Sequence, residues 1–157
     1  MYRDRRVWAY IPRMFWRRGA RAILAQTRRF VRLGTAYWFV IAERRSGKFV
    51  GEIGLFNIDW EERTAELGYV IARPQWGKGF ATEASRRLCK LAFRILKLRR
   101  LDAIAGEGNH ASFATLQKLG FHLEGVSRKA VWLNRGWRDA YRFGLLSSEY
   151  RAQRSEP

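Results

Sequence analysis

The chain has 157 residues, a length that suits one domain. Hydrophobic residues make up 47% and aromatic residues 15%, enough for a packed core, so global disorder is excluded. Lysine and arginine number 31 against 14 acidic residues, and the formal net charge of +17 favours polyanions without choosing among nucleic acid, phosphorylated cofactor and anionic membrane. An arginine-rich, solvated surface accounts for the excess equally well.

The single cysteine, Cys89, rules out an intrachain disulfide and falls in a helix-like segment, where packing is its expected role. It and two scattered histidines make no zinc pattern, and no metal is expected. No secretory leader follows MYRDRR. The longest apolar run, AYWFVIA over residues 36–42, is far short of the roughly 20 residues a membrane helix needs. The expected location is cytoplasmic, with no membrane partner.

Residues 15–33 place Ile23, Leu24, Phe30 and Val31 among arginines, an amphipathic helix ended by Gly34. Residues 36–45 and 48–58 are rich in β-branched and aromatic side chains and are separated by Ser46-Gly47, a hairpin pattern. Residues 63–72 form a third strand. Gly51, Gly54 and Gly68 fall inside these strands and point to a bulge or to another backbone coming close. Over residues 81–97, Ala84, Leu88, Leu91, Ala92, Ile95 and Leu96 define one helix face, and Arg86, Arg87, Lys90, Arg94 and Lys97 the other. A short strand follows over 100–105. A helix over 109–119 stops at Gly120. Two strands over 121–134 and 137–147 are joined by Asn134-Arg135-Gly136. Consecutive strands early on imply antiparallel pairing, and the later helical crossovers imply parallel pairing. The fold class is a mixed α/β sheet flanked by helices. Residues 1–150 form one domain, and 151–157 a frayed tail.

The stretch RPQWGKGFATEA, residues 73–84, lies between the third strand and the following helix. A Walker A loop fails here, because Ala72 replaces its first glycine and Gly79 stands where Ser or Thr belongs. The dinucleotide fingerprint fails at Thr82. The glycines still allow close backbone approach, and helix-start N–H groups and the helix dipole favour an anion. As an isolated stretch, a simple turn explains it as well.

Other pieces occur in order around it: Glu66-Leu-Gly-Tyr-Val70, WGKGFATEA over 76–84, Asn109 with Ser112, Lys118-Leu-Gly-Phe121, then Glu124-Gly125, and Asp139-Ala-Tyr141. Together they resemble the GCN5-related N-acetyltransferase (GNAT) superfamily, within it the ribosomal-protein (Rim-type) branch, over about residues 7–150. The loop resembles that family's pyrophosphate motif, with Trp76 in place of the initial Arg or Gln. Relatives begin with a strand and a helix ahead of the segment resembling residues 4–12. By that resemblance, the sequence is expected to lack the first strand and much of the first helix. Either the chain is truncated or another molecule, such as a second copy in a homodimer, completes the sheet edge.

The resemblance implies acetyl transfer from acetyl-CoA to a primary amine, by direct attack in a ternary complex. Backbone groups of Tyr69, Val70 and Ile71 are implied to bind the pantetheine arm, and Gly77, Lys78, Gly79, Phe80, Ala81 and Thr82 the pyrophosphate. Asn109 and Ser112 contact the arm from the opposite side, although Asn109 also suits a helix N-cap. The oxyanion is implied to sit on a backbone N–H near Val70. Glu66 is the first candidate for the base, sharing a strand face with Gly68. Glu52 and Asp139 are weaker candidates. Many relatives carry an acidic tyrosine where Leu116 stands, which leaves Ser112 or water to assist the thiolate. Glu83 is read as structural, Trp76 and Phe80 as packing residues, and Trp132 and Trp137 as pocket wall or core. The acceptor is a protein N-terminus, as the branch suggests, or a small amine. The basic surface suits association with the ribosome or RNA. Two other readings stay open: a basic nucleic-acid-binding module, for which no recognised motif is present, and an acyl-CoA-binding remnant without catalysis.

Overall fold

The computed structural model describes residues 31–133 and 135–152, with Val7 and Arg29, and only the backbone of residues 151 and 152. The expected helix over 15–33 lies mostly outside the described residues. Its end is visible: Leu33 N–H donates to the Arg29 carbonyl at 3.0 Å, and Gly34 follows with φ +71°.

Strands β1 (Tyr37–Ala42) and β2 (Phe49–Asp59) form the expected hairpin, and β3 (Thr64–Ile71) pairs antiparallel with β2. Helix α1 (Phe80–Lys90) leads to β4 (Arg100–Gly106), and helix α2 (His110–Lys118) to β5 (His122–Leu133) and β6 (Gly136–Leu146). The order across the sheet is β1-β2-β3-β4-β6-β5. Of the two crossovers, only the α1 crossover ends in a parallel neighbour, β4 beside β3. The α2 crossover also brings β5 round parallel to β4, but β6 occupies the place between them and pairs antiparallel with both.

Strand alternation sorts the side chains. Ile53 and Leu55 of β2, Ala65 and Leu67 of β3, Leu101 and Ala103 of β4, and Phe143 and Leu145 of β6 are buried in one core with Leu88, Cys89, Ala92 and Leu116 of the helical segments. Glu66, Gly68 and Val70 of β3 point to the opposite face. Burial pushes the Cys89 thiol up to about 12, which keeps it protonated and inert.

Gly51, Gly54 and Gly68 sit at close approaches. A Cβ on Gly51 would lie 2.2 Å from the Val70 carbonyl oxygen, and one on Gly54 would lie 2.6 Å from that of Tyr37. At Gly68 the obstacle is the Phe56 ring, 2.8 Å away, which also packs on Trp38 with centroids 4.9 Å apart.

Two expectations are corrected. The helix over 81–97 is not α-helical throughout: residues 91–95 adopt π geometry, with Leu96 N–H bonded to the Leu91 carbonyl at 3.0 Å. The wider turn re-phases the side chains, so Phe93 is 3% exposed while Ile95, expected on the apolar face, is 68% exposed. A further helix, α3 (Ser147–Ala152), begins where the last strand was expected to end. Glu149 starts it by accepting from Leu146 N–H at 2.7 Å, half of a capping box, and Tyr150 packs on Phe93 with centroids 5.0 Å apart. Among the described residues no helix is long and apolar enough to cross a membrane.

Ser85, on the buried side of α1, is 0% exposed, and its hydroxyl has no hydrogen-bond partner among the described residues. Removing an unsatisfied buried hydroxyl relieves a desolvation cost of about 1 kcal/mol or more. Ser85→Ala is therefore expected to raise the urea midpoint at unchanged slope, and a lower midpoint would contradict this reading.

Candidate active site

The β3–β4 pairing consists of three rungs, Thr64↔Arg100, Ala65↔Leu101 and Glu66↔Asp102. Beyond Glu66 the strands part: β3 continues on β2, and β4 continues on β6. The result is a fork in the middle of the sheet, with α1 and α2 on its core side.

Backbone direction decides which groups face this fork. Ala72 N–H donates to the Val50 carbonyl at 2.8 Å, and Arg63 accepts from Arg99 N–H at 2.7 Å on the other side. In an extended strand, successive residues alternate the edge to which their N–H and C=O point. Gly68 and Val70 therefore turn to β2, while Leu67, Tyr69 and Ile71 turn to the β4 side. Tyr69 and Ile71 lie beyond the last paired rung. This corrects the expectation for Val70: its N–H lies in the β2–β3 ladder opposite Glu52 and is not directed into the fork. The Ile71 carbonyl accepts from the Trp76 indole N–H at 2.8 Å, so Ile71 offers the fork mainly its N–H. Trp76 is thus more than packing, because it ties the start of the loop to the end of β3.

The loop itself follows a single 3-10 turn, Arg73–Gln75. Gly77 and Gly79 both take left-handed conformations, φ +73° and +80°, and a Cβ at either would meet nothing within 4 Å. Backbone conformation, not crowding, is what calls for glycine here. Gly79 is the N-cap of α1, and no side chain caps it. The first helical bond shown there runs from Glu83 N–H to the Gly79 carbonyl at 3.0 Å. Phe80, Ala81 and Thr82 N–H groups therefore have no acceptor one turn back. Lys78 Nζ donates to Gln75 Oε1 at 3.0 Å. Glu83 forms an exposed pair with Arg87 at 3.1 Å, which fits a structural role.

On the other side of the fork, α2 starts with Asn109 as its N-cap: the Asn109 Oδ1 accepts from Ser112 N–H at 3.2 Å. Ser112 Oγ in turn accepts from the Tyr69 hydroxyl at 3.2 Å. The sequence points only to the Tyr69 backbone, yet its side chain reaches from β3 to α2. The signal was present, since alternation puts Tyr69 on the helix-facing side with Leu67 and Ile71. Leu116 is 2% exposed and belongs to the core.

Glu66 lies on the opposite face. Burial pushes its carboxyl above the ordinary carboxylate range, the Asn57 amide opposes that, neighbouring Asp102 adds to it, and Arg142 pulls it back. Asn57 Nδ2 donates to Glu66 Oε2 at 3.4 Å from a backbone position with φ +47°. Asn57, Asp102 and Arg142 come from three different strands, and no sequence spacing links them to Glu66. Asp102 is also held by Arg100, whose Nε lies 2.9 Å from Asp102 Oδ1 and whose Nη1 lies 2.9 Å from Glu124 Oε1 on β5.

The weaker base candidates separate. Glu52 shares the Glu66 face, opposite Val70. Asp139 accepts from Lys129 N–H at 2.9 Å and lies 3.8 Å from Lys129 Nζ, holding an irregularity in the β5–β6 hairpin. Trp132 and Trp137 pack edge to face across that hairpin, 5.4 Å apart, and Trp137 is mostly exposed. They form a pair at the hairpin tip, outside the core.

Comparison with known proteins bears on the whole arrangement. A family model described as "Acetyltransferase (GNAT) domain" matches residues 1–122. A putative ribosomal N-acetyltransferase of Bacillus subtilis, YdaF, is 37% identical over 69% of this chain and 59% of its own length. A spermidine N(1)-acetyltransferase of Escherichia coli is 30% identical over 71% of this chain and 60% of its own. The chain thus spans about three-fifths of these curated relatives. Among solved structures, a spermidine N-acetyltransferase from Vibrio cholerae in complex with CoA and spermine superposes with a TM-score of 0.84 at 22% identity, covering 96% of this chain and 88% of that one. With a family model matching residues 1–122, this chain belongs to the GNAT acetyltransferase domain family.

Proposed function

We propose that this protein transfers an acetyl group from acetyl-CoA to a primary amine, with the forked sheet as the site. The fork beside an uncapped, glycine-led helix start carries the reading. It offers backbone groups of Tyr69 and Ile71 to an amide-bearing arm, and the N–H groups from Gly77 to Thr82 to a pyrophosphate. Bound there, acetyl-CoA supplies the activated acyl group as a thioester.

Glu66 acts as base on the acceptor side. An α-ammonium titrates near 8 and a lysine near 10.4, so the attacking nitrogen must first lose a proton. Glu66 takes it, directly or through one water, and passes it to solvent. The N–C bond then forms as the C–S bond breaks, and the nitrogen's second proton balances the thiolate as a thiol. The raised position of the Glu66 carboxyl makes it a better proton acceptor than an ordinary carboxylate. Ser112 Oγ is the hydroxyl that assists the departing sulfur, since Leu116 cannot. The Tyr69 backbone N–H, which faces the fork, takes over the oxyanion role from Val70, and the Ile71 N–H is left to the arm.

For the acceptor, the reading is the N-terminal amine of a protein bound at the ribosome. Similarity to the Bacillus subtilis protein supports it, and so does charge. A groove of about 800 Å³ between α1, α2 and α3 is lined by Arg86, Arg87, Lys90 and Lys118 against the single carboxylate of Glu83, a net positive surface suited to nucleic-acid phosphates. A small polyamine is the second reading, favoured by the 30% identity to the Escherichia coli enzyme and opposed by repulsion from the +17 charge. Lys90→Glu with Lys118→Glu is expected to weaken a salt-sensitive association with ribosomes, and no association even at low salt would sink the ribosomal reading.

Calorimetry and thiol release with a panel of amines test the activity. Saturable CoA binding and amine-dependent turnover are expected, and failure to bind CoA would overturn the assignment. Glu66→Gln should lower kcat by about 100-fold with CoA affinity nearly unchanged. Equal turnover would remove Glu66 as the base. The ionised form of Glu66 is the active one, so activity is lost as pH falls through its raised pKa. Asp102→Asn removes a neighbour that raises that pKa and should move the acid limb to lower pH. Arg142→Gln should move it to higher pH, and an acid limb unmoved by both changes would assign it to another group.

A further inference from the structure

We propose that the Tyr69 phenol is a positioning residue that aims the Ser112 hydroxyl at the departing sulfur. The inference rests on the acetyl-transfer reading and concerns a side chain that reading does not use. Tyr69 and Ser112 are 43 positions apart in sequence, on β3 and α2, and their hydroxyl oxygens lie 3.2 Å apart. The phenol is the donor in this contact and Ser112 Oγ the acceptor. A serine hydroxyl has one proton and two lone pairs. With one lone pair occupied by the phenol, the Ser112 proton turns away from Tyr69 and is available to another acceptor.

The serine is fixed from its other side as well. Asn109 Oδ1 accepts from the Ser112 N–H at 3.2 Å, which fixes the backbone turn from which the Ser112 hydroxyl projects. The phenol and the serine span the fork on its helix side, next to the edge from which Tyr69 presents its backbone. An arm entering between β3 and β4 therefore passes this pair. Accepting a hydrogen bond from the phenol also polarises the Ser112 O–H and makes it a stronger donor. Burial pushes the Tyr69 phenol above its ordinary value, outweighing the opposing hydrogen bonds of the Ser112 and Thr115 hydroxyls, so it stays protonated and keeps its donor across the neutral range. Tyr69 gives up no proton in the reaction. Ser112 donates its hydrogen bond to sulfur as the C–S electron pair moves there, and the thiolate's proton derives from the amine.

A double-mutant cycle separates this role from packing. CoA affinity is measured by calorimetry and turnover by thiol release for the wild type, Tyr69→Phe, Ser112→Ala and the double variant. Tyr69→Phe keeps the ring and is expected to lower kcat by about 10-fold, the effect of one hydrogen bond, with CoA affinity within about 2-fold. In the Ser112→Ala background the same change should cost nothing further. Ser112→Thr, which keeps the hydroxyl, should retain most turnover and the sensitivity to Tyr69→Phe. Independent, multiplying losses, or unchanged turnover in Tyr69→Phe, would overturn the inference while leaving the acetyltransferase reading intact. Absence of CoA binding or of turnover in the wild type would overturn both.

Discussion

The arrangement depends on one feature of strand pairing: β3 and β4 are hydrogen-bonded neighbours for three rungs and then separate. A parallel pair normally runs on as a buried ladder. Here β3 is held by β2 through Ile71, and β4 by β6 through Gly106, so each half of the sheet keeps its own partner while the middle opens. The cost is local. Beyond Glu66, backbone groups on the fork side of β3 have no strand to pair with, and unmade buried hydrogen bonds cost about 1–3 kcal/mol each. A polar, extended arm is the type of ligand that satisfies such groups while leaving the ladders on either side intact.

The fork also divides the chemistry. Because β3 alternates, Glu66 falls on one face of the sheet and Tyr69 on the other. The carboxylate that suits an amine and the hydroxyl pair that suits a leaving sulfur therefore approach from opposite sides, and the gap itself connects the two faces. Each group is tuned by residues from separate strands. Glu66 feels Asn57 of β2, Asp102 of β4 and Arg142 of β6. Tyr69 is tied to α2.

Much of this was legible in the sequence, and the limits are instructive. Glycines and periodicity located the hairpin, the loop and both main helices, because turn conformation and amphipathic spacing are local properties. Gly77 and Gly79 take the left-handed backbone that a phosphate-binding turn needs, and Asn109 caps its helix. What failed depended on three-dimensional pairing. The backbone direction of Val70 is set by β2 and cannot be read from ELGYV alone. The π segment at 91–95 re-phases a helix whose apolar pattern looked continuous. Asn57, Asp102 and Arg142 join Glu66 only once four strands are aligned. The Tyr69–Ser112 contact was within reach, since alternation predicts the side of the sheet; what could not be read was the distance across the fork.

The central claim is that the backbone edge at Tyr69 and Ile71 receives the cofactor arm while Val70 stays in the β2 ladder. Residue-resolved amide hydrogen exchange, with and without saturating CoA, tests this directly. The account predicts that Val70 is protected in both states, and that the Tyr69 and Ile71 amides, together with those of Gly79 to Thr82, become protected only when CoA is bound. Exchange at Tyr69 and Ile71 that is unaltered by CoA, or protection gained at Val70 instead, would contradict it.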